Sequence, residues 1–213
     1  GIFKAVDASG NTYELADDGS IQINRNEELT LTFTPDDFDD RYYSDLTGEK
    51  GESFSILTAL TDTTDGNKDL FATATFNWTE KSYEITYTPT KADVTLKAVF
   101  TPSHIVHLHV TGGTAEVTDN TLVTKETGAS QFQHVIVADD KTVEVKLKDT
   151  TANGLAPTAY WSDVSESPEH AGMDVSAAIQ TTGAKTYTYT TQKVKQPQAL
   201  NVTLSRDRQW RLR

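Results

Sequence analysis

Residues 29–34 read Leu-Thr-Leu-Thr-Phe-Thr, with an apolar side chain at every odd position and threonine at every even one. Successive side chains of a strand point to opposite faces, so such a segment buries one face and wets the other. A helix would scatter both sets around its surface. The same period-two pattern recurs in residues 82–88, 94–100, 104–110 and 142–148. Leu70, Ala72, Ala74, Phe76 and Trp78 form a further alternating set, and shorter strands are expected at 2–6, 13–15, 21–23 and 53–58. Helical periodicity is nowhere sustained beyond about a turn. The chain also holds 34 threonines among 213 residues, and that β-branched side chain favours strands over helices. The expected fold class is all-β.

The length suits one large domain or two of about 100 residues each, and the second half repeats the first, which favours two. Residues 142–148 answer 29–34, with Val143, Val145 and Leu147 in the inward places of Leu29, Leu31 and Phe33. Lys-Thr-Tyr-Thr-Tyr at 185–189 answers Lys-Ser-Tyr-Glu-Ile at 81–85 with an offset of 104. Residues 174–177 answer 69–72, and 199–204 answer 94–99, both with an offset of 105. Nearly constant offsets predict a tandem duplication. The boundary is expected near Pro102, where a strand ending at Phe100 gives way to a new run from His104 and the proline breaks the ladder. That makes an acidic β-sandwich domain at 1–102, a second at 103–205 and a basic tail at 206–213, the two domains set end to end. Turns are expected at Asp18-Gly19, Asp65-Gly66, Gly112-Gly113 and Asn153-Gly154. Seven or eight short strands per half fit two antiparallel sheets of the immunoglobulin-like kind, with a barrel as the alternative. The inward residues of the first core should include Tyr83, Ile85 and Tyr87, and those of the second Tyr187 and Tyr189.

The first half carries a strand and glycine turn, then Glu-Glu-Leu-Thr-Leu-Thr-Phe-Thr-Pro at 27–35, a tyrosine-rich strand, and the closing phrase Ala-Asp-Val-Thr-Leu-Lys-Ala-Val-Phe at 92–100. That order resembles the tandem immunoglobulin-like and internalin-B-repeat-like modules of bacterial cell-surface proteins. Residues 199–204 match the closing phrase more loosely, and both halves are longer than compact members, with extra residues at 36–52 and 150–172. The resemblance implies an extracellular, non-catalytic spacer or adhesive role and supplies no site residues.

Cysteine is absent, which removes disulfides, thiolate metal sites and cysteine nucleophiles. The net charge of −12 argues against binding a phosphate backbone, which needs clustered lysine and arginine. No apolar run approaches the roughly 20 residues of a membrane helix, and no charged-then-apolar leader opens the chain. A nucleophile elbow, a phosphate loop and a zinc-protease helix motif are all missing, so no enzyme, catalytic residue or cofactor is expected. The function read from the sequence is a non-catalytic structural or adhesive segment of a larger bacterial surface protein. It would be monomeric within that longer chain and meet a protein or glycan on a surface. A carbohydrate-binding module is the alternative.

Three groups of residues could still carry binding. Residues 1–102 hold 8 basic and 19 acidic side chains against 11 and 12 in the rest. Asp36, Asp37, Asp39 and Asp40 form one acidic group, and Asp62, Asp65 and Asp69 a second. Calcium takes six to eight oxygen ligands, so these are calcium candidates, while solvated acidic loops remain the plainer reading. His107 and His109 share a strand face opposite Val106, Leu108 and Val110, where exposed histidines are the default. They would chelate zinc only if His134 joined them. Trp161 with Tyr160, and Tyr42 with Tyr43, are candidates for stacking on sugar rings, whereas Trp78 keeps phase with Phe76 and is expected in the core.

Overall fold

A computed structural model of the chain describes residues 1–17, 19–35, 54–117, 119, 123–127, 132–151, 157–163 and 172–204. These residues are all-β, organised as several mainly antiparallel sheets. Among them no helix is long and apolar enough to cross a membrane. They fall into two compact units, one within residues 1–102 and one from Ser103 onward.

The first unit contains β1 (Ile2–Asp7), β2 (Thr12–Glu14), β3 (Leu29–Thr34), β4 (Phe54–Asp62), β5 (Lys68–Asp69), β6 (Thr75–Asn77), β7 (Ser82–Tyr87) and the start of β8 (Leu96–Thr111). One antiparallel sheet runs in the order β2-β1-β3-β7-β6, and β4 pairs separately with β5 and β8. Register puts Leu29 opposite Tyr87, Leu31 opposite Ile85 and Phe33 opposite Tyr83. All six side chains are buried, joined in the interior by Ile56, Leu57, Leu60 and Phe71. The threonines between them stay on the other face, as the alternation requires.

The second unit contains the rest of β8 with β9 (Gly113–Glu116), β10 (Val123–Thr127), β11 (Phe132–Ala138), β12 (Glu144–Asp149), β13 (Thr158–Asp163), β14 (Met173–Asp174), β15 (Gln180–Gly183), β16 (Thr186–Thr190) and β17 (Gln198–Thr203). One sheet runs β10-β11-β8-β17-β13-β14 and the other β15-β16-β12-β9. Leu147 faces Tyr187 and Val145 faces Tyr189, repeating the register of β3 and β7. These residues pack with Val106, Leu108, Val110, Trp161, Leu200 and Val202 in one core cluster. The two sheets therefore meet face to face and stay separate, with no closure into a barrel among the described residues.

Details of the first unit recur in the second. Asp69 Oδ1 accepts the Phe71 N–H at 2.8 Å, starting a 3-10 turn at Phe71–Thr73. Asp174 Oδ1 accepts the Ser176 N–H at 2.9 Å before a 3-10 turn at Ser176–Ala178. The residue after each aspartate is buried and donates its N–H across at 2.9 Å, Leu70 to the Leu60 carbonyl and Val175 to the Ala159 carbonyl. Lys81 and Lys185, just before the tyrosine-rich strands, both hold left-handed backbone with φ of 53° and 62°, a conformation uncommon for a side chain with Cβ.

Three expectations need correction. Strand β8 does not stop before Pro102 but runs unbroken from Leu96 to Thr111. Pairing with β11 begins only at Ser103 opposite Ala138 and pairing with β17 at Val106, so the missing proline N–H removes no bond from those ladders. The alternating set from Leu70 to Trp78 is not one strand, because the Asp69 cap coils residues 71–73 and leaves Leu70 and Phe71 both buried. Residues 21–23 lie outside any strand.

Candidate functional site

The second acidic group disperses when the chain folds. Asp62 is 3% exposed and points inward. Its Oδ1 accepts the N–H groups of Thr64 at 2.9 Å and Asp65 at 3.1 Å, and its Oδ2 accepts the Tyr87 hydroxyl at 2.8 Å. Burial works to raise this carboxyl, but the bonds from Tyr87, Thr64 and Asp65 outweigh it and hold the group below the usual carboxylate range. Burial, then the adjacent Asp62 carboxylate, pushes the Tyr87 phenol well above its ordinary value. Asp65 pairs instead with exposed Lys91 at 3.5 Å, and Asp69 caps the 3-10 turn. Each of the three carboxylates thus serves a different donor. Among the described residues no three His, Asp or Glu side chains converge as a metal would need. Asp36, Asp37, Asp39 and Asp40 lie outside the described residues. Asp7 was not singled out by the sequence, yet it closes the β1–β2 turn in the same way, accepting from Ser9, Asn11 and the Tyr13 hydroxyl.

The histidines are arranged differently from the expectation. His107 is 2% exposed, not a surface residue, and His134 opposite it is also 2% exposed. Their Nδ1 atoms lie 3.0 Å apart, so one ring donates and the other accepts. Phe132 packs edge-on against His134 with centroids 4.7 Å apart. His109 is exposed and stands across from Phe132 instead. The structure therefore joins His107 to His134 and leaves His109 outside the pair.

Trp161 offers no stacking platform. It is 5% exposed and belongs to the core cluster, because β13 turns Ala159 and Trp161 inward and leaves Tyr160 on the other face, half-buried. Trp78 is half-buried, edge-on to Phe76 with centroids 5.0 Å apart. Tyr42 and Tyr43 lie outside the described residues.

A feature that motif reading missed is a cleft in the first unit, with a volume of about 800 Å³. Leu31, Phe33 and Tyr87 line it from one sheet, and Leu96, Ala98 and Phe100 from β8. Arg25, Lys91 and Asp93 also border it, along with residues 19–23. Ala98 is exposed, and Leu96 and Phe100 are only half-buried. In the second unit the closing strand presents Leu200, Val202 and Leu204, and these are 0%, 1% and 1% exposed.

No protein-family model matches this chain. No curated protein and no solved structure matches it either.

Proposed function

We propose that the chain is a non-catalytic structural segment of a larger bacterial surface protein, in which two copies of one immunoglobulin-like β-plan act as spacer and partner-binding module. The observation that carries this reading is the recurrence of one plan. The aspartate-capped 3-10 turn, the left-handed lysine and the paired apolar–tyrosine register occur once in each unit. Repeating a self-contained β-unit extends a chain without changing its chemistry, which suits a spacer. The buried acids support it further, because Asp7 and Asp62 hold turns and a tyrosine in place.

Surface labelling of intact cells of the source organism tests the proposal. An antibody against the chain should stain unpermeabilised cells, and external protease should remove the signal. Recovery of the chain only from the soluble cytoplasm would overturn the proposal.

A further inference from the structure

We propose that the second unit is a tension-bearing unit, in which β8 and β17 form a pair loaded in shear that keeps the unit folded when the chain is pulled along its length. The inference deepens the spacer reading and rests on it for its use in the cell. The device itself is read from strand direction and register.

The chain enters this unit at Ser103, within β8, and passes out of β17 at Leu204. The first strand of the unit and its last described strand lie side by side and run parallel, from Val106 opposite Gln198 to Thr111 opposite Thr203. The Leu204 N–H closes this ladder on the Thr111 carbonyl at 2.7 Å. Because the two strands are parallel, the chain enters at one end of the ladder and leaves at the other. Tension therefore draws β8 and β17 in opposite directions along their own axes. An antiparallel pair would put entry and exit at the same end, where tension opens the rungs one after another.

A slip of one residue along the pair is a movement of roughly 3.3 Å, which breaks every hydrogen bond of the ladder together. The same slip turns each side chain toward the wrong face. Leu200 and Val202 are 0% and 1% exposed and pack with Val106, Leu108 and Val110 in the core, so they resist it as well. Both strands are also held on their other edges. Antiparallel β13 pairs with β17 from Thr158 opposite Thr203 to Asp163 opposite Gln198. Antiparallel β11 pairs with β8 from Ser103 opposite Ala138 to His109 opposite Phe132. Neither strand can be drawn out without shearing two ladders.

Single-molecule pulling on the intact chain tests the proposal. The sequence has no cysteine, so introduced thiols are unique handles. Pro102→Cys with Thr203→Cys puts the handles at opposite ends of the β8–β17 ladder. Pro102→Cys with Gln196→Cys puts them at the same end, because Gln196 is exposed and just precedes β17. Both pairs load the same folded unit, in different directions. The first pair should rupture at a force at least about twofold higher, since its ladder bonds fail together and those of the second fail singly. Equal forces, or the higher force across the second pair, would overturn the proposal. The spacer reading fails separately. A cytoplasmic location would remove it and leave these forces unchanged, whereas equal forces would remove the tension-bearing role and leave the spacer in place.

Discussion

Trp161→Ala is expected to destabilise the second unit strongly rather than disarm a binding surface. The ring is 5% exposed among Leu200, Val202 and Val175. Truncating a buried tryptophan costs about 3–5 kcal/mol, from lost transfer energy and from the cavity left behind. In a unit of this size that lowers the melting midpoint by more than about 10 °C. Calorimetry on the variant measures it directly. A variant that melts like the parent yet loses affinity for a glycan would restore Trp161 as a surface platform.

Asp62→Ala is expected to produce the next largest loss. Its carboxylate serves the Tyr87 hydroxyl and two backbone N–H groups from a site 3% exposed. Removing an acceptor strands each buried donor at about 1–3 kcal/mol. A double-mutant cycle with Tyr87→Phe should reveal a coupling of roughly 0.5–3 kcal/mol between the two side chains. Because the folded state lowers the affinity of Asp62 for protons, its contribution is present above the ordinary aspartate value near pH 4. It is lost as pH falls through the lower folded value. In the parent chain, millimolar calcium should shift the midpoint no more than monovalent salt of equal ionic strength. A bound ion at a hundredfold excess over its dissociation constant would add about 2.7 kcal/mol. A calcium-selective rise of that size, abolished by Asp62→Asn with Asp65→Asn, would contradict the structural role given to this group.

Alternation made much of the fold legible. Leu29, Leu31, Phe33, Val145 and Leu147 are all buried opposite their tyrosine or isoleucine partners, and Val143 is buried beside Thr191, because a strand with one covered face has little freedom in register. Alternation says which residues share a face but not how many faces are covered. That is why His107 read as a surface residue, when the face of β8 opposite Val106 and Leu108 is itself buried at that position. Capping overrode periodicity between Leu70 and Trp78, where a single carboxylate bond from Asp69 replaced a strand with a 3-10 turn. Pro102 misled for a different reason. The rule that proline breaks a ladder applies only where its N–H would have been bonded. The cleft left no sequence signal, because what marks it is a neighbour that one closing strand has and its counterpart does not have among the described residues.

That difference in edges is the central claim, and backbone amide exchange tests it most directly. A strand paired on one edge leaves every second amide without a ladder bond, whereas a strand paired on both edges bonds them all. Amides from Leu96 to Phe100 should therefore exchange in a fast–slow alternation, while those from Ala199 to Val202 should all be slow. Uniform protection along residues 96–100, matching that of β17, would contradict the one-edge pairing seen among the described residues.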